Sequence, residues 1–430
     1  MVTEADAAPR PRTLLLSDPA CVKHHVRGHP ERPERVQVVL DQLATSFPTL
    51  PHWTASPAAT VEQLERFHTS SHVQSVLQWC GKIERCMVEL DTLRESDETQ
   101  ERRNVLKSFE NVDVDADTTL MRYTREAALK AAGATIAGVD AVLSGDFTNA
   151  FCAVRPPGHH AEPFKAMGFC YFNNVGVAAM HAVAQHGLTR VAIVDFDVHH
   201  GNGTQTKAAT TPELLYVSTH QAPFFPHTGH AAENSAHVWN VPMAAGTSSY
   251  AFRHAFVDQV EPQVRAFAPQ LILISAGFDA HEDDPLAEMK LTDEDFYWMT
   301  QRLTILAWEC CDGRIVSSLE GGYHLRALAR CAERHVQALI DGTDRAVLVD
   351  AMQGLSLDPP VRTNLRLVLA KDKTLKTLLL HEITIEKLRA AAKAKCQMKS
   401  KQQFRTAHGT LVADTAALLA LENDSTLYIA

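Results

Sequence analysis

Asp197 and His199 follow Val191-Ala192-Ile193-Val194, a run of apolar, mostly β-branched residues that reads as a buried strand ending in acids, imidazoles, Gly201 and Gly203. Side chains two apart in an extended segment point the same way, so Asp197 and His199 present a carboxylate and an imidazole on one face. That pair suits a divalent metal of the zinc type, which takes nitrogen and oxygen donors. A working site then needs a third ligand, a base and a group that polarises a substrate.

Three further stretches carry such groups. Arg155-Pro156-Pro157-Gly158-His159-His160-Ala161 comes after a strand read over Asn149 to Val154, and leads to Gly168-Phe169-Cys170-Tyr171-Phe172-Asn173-Asn174. A strand over Leu271 to Ser275 runs into Ala276-Gly277-Phe278-Asp279-Ala280-His281 and Asp283-Asp284-Pro285-Leu286. Arg314 to Leu319 runs into Glu320-Gly321-Gly322-Tyr323. Taken singly these residues have ordinary readings: Asp279 as a cap or turn former, Tyr323 as packing, His159-His160 as surface polar groups, Cys170 as core. All four stretches, however, end strands, where open α/β sheets build their sites, and together they complete one constellation.

The elements that must position them alternate regularly. Thr13 to Leu16 reads as a strand, Cys21 to Arg35 as a loop, and Val36 to Ala44, Thr60 to Phe67 and His72 to Trp79 as short helices. Thr92 to Asn104 is dense in charge without apolar periodicity, so a solvated loop or insertion is expected there. Thr124 to Leu143 is an Ala-rich helix. Helices are then expected at Asn174 to His186, Ser249 to Ala266, Asp293 to Cys310 and Leu325 to Ile340, with a further strand at Leu214 to Ser218. This alternation implies an α/β fold with a mainly parallel central sheet and helices on both faces. Beyond residue 345 strand signals fade, and Asn364 to Leu380 and Ile383 to Lys401 read as helices. The expected organisation is a disordered leader (1–11), a domain over 12–375 with the charged insertion near 92–104, and a helical C-terminal extension (376–430).

Composition narrows the function classes. The 430 residues are 45% hydrophobic and 21% charged, an ordinary globular balance. A net charge of −10 argues against a broad phosphate-binding surface and hence against direct nucleic-acid binding. Nine cysteines without a paired C-x-x-C spacing, and no secretory apolar region, point to reduced thiols in an intracellular protein. No apolar run is long enough to span a membrane. Lys393, Lys395, Lys399 and Lys401 are too dispersed to separate nucleus from cytoplasm.

The four stretches resemble those of the zinc-dependent histone deacetylase family, of the arginase/deacetylase-like α/β superfamily, over residues 12–345 and towards 375. Arg155 to His160, Ser318 to Tyr323, and Asn202 (where class I members have an acid) are similar to the class II branch. The resemblance implies hydrolysis of Nε-acetyl-lysine in histones or other proteins to lysine and acetate, and with it a part in chromatin regulation. Asp197, His199 and Asp279 would hold one catalytic Zn2+ and leave a position open for water; two carboxylates offset its charge, so a separate base is needed. By the same resemblance His160 is that base and later the acid, His159 its electrostatic neighbour held by Asp195, and Tyr323 the donor to the developing oxyanion. Asn202 would offer His160 a neutral amide, leaving its basicity less elevated.

Phe169 and Phe225 match the aromatic walls around an acyl-lysine stem, with Gly168 and Gly322 beside them and Leu286 at the rim. Burying that stem gains about 0.8 kcal/mol per methylene. Asp117 is expected to hold peptide backbone at the rim, and Arg35 resembles the arginine near the acetate exit. A structural K+ is implied near Asp195 and Ser218. Partners are acetyl-lysine proteins or peptides, and the C-terminal extension could dock another protein. Two readings compete: an acetylpolyamine or other small-molecule amidohydrolase, disfavoured because acetylpolyamine-specific relatives carry Glu at Leu286, and a non-catalytic acetyl-lysine-binding scaffold, disfavoured by the full ligand set beside Tyr323.

Overall fold

In chain order the strands of the first unit are β1 (Thr13–Leu16), β2 (His52–Trp53), β3 (Asn111–Asp115), β4 (Thr118–Met121), β5 (Asn149–Cys152), β6 (Val191–Asp195), β7 (Leu214–Gln221), β8 (Val238–Met243), β9 (Leu271–Ala276) and β10 (Ile315–Leu319). The computed structural model describes residues 13–93, 97–343, 365–371, 374–380, 385–396, 403–405, 411–412 and 425–429; the expected leader over 1–11 lies outside them. The helices are α1 (Glu34–Ser46), α2 (Val61–Glu65), α3 (Ser70–Thr92), α4 (Asp97–Lys107), α5 (Thr124–Leu143), α6 (Asn174–His186), α7 (Asn202–Ala208), α8 (Ser249–Ala255), α9 (Glu261–Phe267), α10 (Asp293–Cys311) and α11 (Leu325–Asp341).

Eight strands form one sheet of order β2-β1-β5-β10-β9-β6-β7-β8, with every neighbouring pair parallel. Parallel strands need long crossovers, and helices supply them while covering the sheet. The apolar runs of β6 and β9 are buried along their whole length, which is why they read as continuous rather than alternating. β5, β10, β9 and β6 stand side by side in the middle, so the four chemistry-bearing stretches leave adjacent strands at one edge of the sheet. α5 packs on α6 and on β5, while α10 and α11 pack on each other and α11 on α1.

The structure departs from the sequence reading in five places. The charged segment near 92–104 is not a loop: α3 runs to Thr92, well past the short helix expected over His72 to Trp79, and α4 follows. Arg102 closes that helix pair with Nε and Nη2 each 2.7 Å from the Glu89 carboxylate, and Leu106 is buried. One apolar anchor with ion pairs leaves no period to read. β7 continues past Ser218 through Thr219, His220 and Gln221, polar residues that are nonetheless buried: His220 Nε2 lies 3.0 Å from the Gly229 carbonyl, and Gln221 Oε1 accepts the Glu288 amide. β8 is unexpected because Pro242 interrupts it, which an edge strand tolerates. The helix expected over Ser249 to Ala266 forms as α8, a π-helical turn (Phe256–Val260) and α9.

The fifth departure is the C-terminal extension. Asp358–Ala430 is a separate unit, and it is not simply helical. Here β11 (Leu365–Lys371) and β12 (Thr374–Leu380) form an antiparallel hairpin where a helix was expected, and the expected boundary at 375 falls inside β12. Leu365, Leu367 and Leu369 alternate with Arg366 and Val368; the leucines fit helical spacing too, but the alternation decides. Helix α12 (Ile385–Cys396) lies where one was expected, and β13 (Phe404–Arg405), β14 (Leu411–Val412) and β15 (Ser425–Ile429) complete a sheet of order β12-β11-β15-β13-β14. Among the described residues no helix is long and apolar enough to cross a membrane.

Candidate functional site

The loop after β6 carries Asp197 and His199, and the loop after β9 carries Asp279. Asp197 and Asp279 are wholly buried, and their oxygens converge on one imidazole nitrogen: His199 Nδ1 lies 3.0 Å from Asp197 Oδ1 and 3.1 Å from Asp279 Oδ2. Each acid spends its other oxygen on a backbone donor, Asp197 Oδ2 on Gly321 N–H (2.8 Å) and Asp279 Oδ1 on Val198 N–H (3.0 Å). Bonds of roughly 2.0–2.1 Å to a tetrahedral ion would set ligand atoms about 3.3 Å apart. The two nitrogen–oxygen distances are therefore close to the spacing such an ion requires, and all three donors lie within 4.8 Å of one another. Gly321 permits this approach, since a Cβ there would stand 2.0 Å from Asp279 Oδ2. Burial disfavours a charged His199, but hydrogen bonds to both acids prevail and hold it near 10, so the nest itself calls for positive charge.

Two other His-acid clusters among the described residues differ from this one in having a hydrogen-bond donor on the far ring nitrogen, which pins the proton on the nitrogen that faces the acid. In Asp140, His181 and His186, the Arg66 guanidinium donates to His181 Nδ1 at 3.0 Å, so the Nε2 facing Asp140 must carry the proton. In His281, Asp293 and Cys331, Asp283 N–H donates to His281 Nδ1 at 3.0 Å, and Nε2 is again the protonated side, 3.0 Å from Asp293. A nitrogen whose proton is pinned in this way cannot exchange it for a metal. The buried His281 thus braces α10.

The loop after β5 brings in two histidines with opposite environments. His159 Nδ1 lies 3.0 Å from Asp195 Oδ2, which also accepts the Tyr216 hydroxyl at 2.9 Å. His160 Nδ1 lies 2.9 Å from Asn202 Oδ1, and the Asn202 amide is oriented by Glu162, whose Oε1 accepts Nδ2–H at 2.8 Å. Because Asn202 presents oxygen, His160 Nδ1 carries the proton and Nε2 keeps its lone pair. Burial, then the neighbouring His159 and His199, push His160 well below its ordinary range; burial is outweighed at His159 by Asp197 and Asp195, which raise it to about 10. One imidazole is held as a cation and its neighbour as a free base, with rings 4.0 Å apart.

The loop after β10 supplies Tyr323. Burial holds its phenol well above its ordinary value, so it remains a proton donor. Arg35, fully buried, lies 4.9 Å from its ring and donates Nε–H to the Gly322 carbonyl (2.6 Å) and Nη2–H to the Glu320 carbonyl (2.5 Å). Phe169 and Phe225 flank this group. Phe169 meets Tyr323 edge-on at 6.1 Å and His29 at 4.5 Å, while Phe225 meets His160 at 5.2 Å and His199 at 6.2 Å. Gly168 has φ +57°, and a Cβ there would stand 2.5 Å from His160 Cδ2, so any side chain would be strained and would displace the imidazole. Asp117, in the turn between β3 and β4, accepts Gly168 N–H at 3.2 Å and so steadies the Phe169 wall. Leu286 is 37% exposed. Ser218 pairs with Asp195 across β6 and β7, and its hydroxyl lies 2.9 Å from His220 Nδ1.

Several contributors carry no role in the sequence reading. Phe224 stacks on His199 at 5.1 Å. Glu31 bridges Arg35 and Arg155 beneath the tyrosine loop, with Arg155 Nε and Nη2 each 2.6 Å from its carboxylate. The four-residue spacing of Glu31 and Arg35 was available as a signal. Glu320 accepts Gly158 N–H (2.6 Å) and His159 N–H (3.2 Å), and burial raises it to about 7. A backbone donor has no residue type, so nothing in the sequence marked these ties.

Comparison with known proteins agrees with this geometry. Residues 29–339 match the family model described as histone deacetylase domain. Type-2 histone deacetylase 2 of Dictyostelium discoideum is 33% identical over 376 residues, covering 80% of this chain and 22% of that protein, so the chain spans about a fifth of that relative. Histone deacetylase 14, chloroplastic, of Arabidopsis thaliana is 34% identical over 345 residues, covering 76% of each. The crystal structure of the HDA15 HD domain superposes with a TM-score of 0.66 at 32% identity, covering 80% of this chain and 94% of that one. On these matches and its parallel eight-stranded sheet, the chain belongs to the histone deacetylase family, a deacetylase-type hydrolase on an arginase/deacetylase-like α/β fold.

Proposed function

We propose that the chain is a zinc-dependent hydrolase that cleaves Nε-acetyl-lysine in proteins to lysine and acetate. The observation that carries the reading is the convergence of Asp197, His199 and Asp279 beside a histidine whose free lone pair is fixed by Asn202. The mixed nitrogen and oxygen set fits zinc, which when bound supplies Lewis-acid polarisation of the amide carbonyl and of the attacking water. His160 Nε2 takes the proton of that water and later gives it to the leaving lysine nitrogen, so proton count is conserved. His159, held charged by Asp195, adds positive potential where negative charge develops. Tyr323 donates its hydroxyl proton in a hydrogen bond to the carbonyl oxygen as it becomes an oxyanion. Phe169 and Phe225 enclose the methylene stem, and Leu286 offers no carboxylate to a polyamine cation.

Two measurements test this. Zinc-loaded protein should turn over acetyl-lysine peptides in preference to acetylated polyamines offered in competition. Tyr323→Phe should lose roughly 10²–10³ in kcat with zinc content unchanged. Preference for the polyamine would replace the substrate, and near-normal turnover by Tyr323→Phe would remove the oxyanion role.

A further inference from the structure

We infer that Asp284 is a positioning residue for Tyr323, acting on the peptide unit that carries the tyrosine; the inference rests on the amide-hydrolysis reading above. Asp284 is 6% exposed and its donors are backbone amides of the site itself. Oδ2 accepts Tyr323 N–H at 2.7 Å and His324 N–H at 3.3 Å, and Oδ1 accepts Leu286 N–H at 3.0 Å. One carboxylate thus ties the rim to the tyrosine loop.

The grip matters because of what holds the opposite edge. The Gly322 carbonyl and the Tyr323 N–H belong to one peptide plane. Arg35 Nε takes the oxygen at 2.6 Å and Asp284 takes the hydrogen at 2.7 Å. Gly322 has φ +118°, a conformation with no side chain to resist rotation, so the plane could otherwise turn about its flanking bonds at low cost. A turn of that plane swings the Cα–Cβ bond of Tyr323 and carries the hydroxyl off its target. Two buried groups of opposite charge, one on each edge, prevent it.

Asp284 is itself anchored. Its N–H donates to the His281 carbonyl at 2.9 Å, and the His281 ring is fixed between Asp283 N–H and Asp293, which Arg330 Nε holds at 2.7 Å. Asp279, the proposed ligand, opens the same loop. The segment that places the metal therefore also places the phenol, and the distance between the two is set within one braced loop.

The test is Asp284→Asn in the full chain. Asparagine has one acceptor oxygen, so its NH2 must oppose either Leu286 N–H or Tyr323 N–H. Displacing a reacting group by about an ångström costs up to roughly 10²-fold, so kcat on an acetyl-lysine peptide should fall about 10- to 100-fold, with KM within about threefold and zinc stoichiometry unchanged. In the Tyr323→Phe background the same substitution should cost less than about threefold, because the group it positions is gone. Hydrogen exchange in peptides spanning 320–328 should accelerate in Asp284→Asn, with or without zinc. Equal losses in both backgrounds, or unchanged kcat and exchange, would overturn the assignment. If the wild type ignores acetyl-lysine peptides, the substrate reading fails by itself, and exchange still decides the clamp. Should Asp284→Asn not fold, unprotected Tyr323 and His324 amides in the wild-type protein would be enough to reject it.

Discussion

Glu31 is the most exacting place to perturb the support beneath the site. Burial by itself would raise its carboxyl, yet Arg155 and then Arg35 outweigh burial and hold it at about 2, from an ordinary 4.5. A group whose folded value is depressed stabilises fully above its unfolded value, and that contribution is lost as pH falls towards the folded one. A shift of this size corresponds to about 3 kcal/mol at pH 7. Glu31→Gln removes the charge and leaves Arg155 and Arg35 buried against a neutral amide, a change that typically costs about 3–5 kcal/mol. The assay is urea unfolding followed by tryptophan fluorescence, which reports the first unit because Trp53, Trp79, Trp239, Trp298 and Trp308 all precede Asp358. At pH 7 the variant should be less stable by about 3 kcal/mol or more. The gap should narrow by roughly 1 kcal/mol at pH 4, since only the wild type takes up a proton here on unfolding, and further below. A gap under about 1 kcal/mol at pH 7, or one that does not narrow in acid, would refute the reasoning.

Asp197→Asn and Asp279→Asn should each reduce zinc stoichiometry from near one to near zero and abolish turnover together, as read by elemental analysis of dialysed protein. Chelation of the wild type should lower its thermal midpoint and added zinc should restore it, because a ligand bound only by the folded state stabilises it; a midpoint indifferent to both would argue against the site. Gly168→Ala should cost roughly 1–2 kcal/mol for its positive φ and lower kcat by displacing His160. Normal stability and turnover in that variant would contradict the close approach.

What could be read from the sequence, and what could not, follows from the kind of signal each element carries. β6 and β9 are continuous apolar runs, and a buried parallel strand has no other way to look. α4 escaped the sequence reading because its stability comes from Arg102 on Glu89 and from packing on α3, neither of which is periodic, whereas the second half of α3 was legible in Val76, Cys80, Ile83 and Met87, all buried at helical spacing. β8 was hidden by Pro242, and the end of β7 by polar residues that find partners only in the folded chain. The β11–β12 hairpin shows the opposite failure, in which leucines at helical spacing obscured an alternation that pairing across the turn selects. Within the site, side chains with unusual chemistry stood out by type, whereas Glu31 and Asp284 look like ordinary surface acids until the fold buries them, and Glu162 does until it meets Asn202.

Buried carboxylates explain how four separate loops hold one geometry. Asp197, after β6, accepts the amide of Gly321 after β10. Asp279, after β9, accepts that of Val198 after β6. Asp284, after β9, accepts Tyr323 after β10, and Glu320, after β10, accepts Gly158 and His159 after β5. Each tie runs from a buried carboxylate on one loop to backbone N–H groups on another, and together they join all four. Such bonds repay part of the desolvation of the acid and leave few amides unsatisfied at the strand ends. They also make stability and alignment inseparable, because neutralising any one acid both strands a buried donor and frees a loop that carries a reacting group. The site therefore tolerates change in the helices around it far more readily than in these carboxylates, including those that never touch substrate.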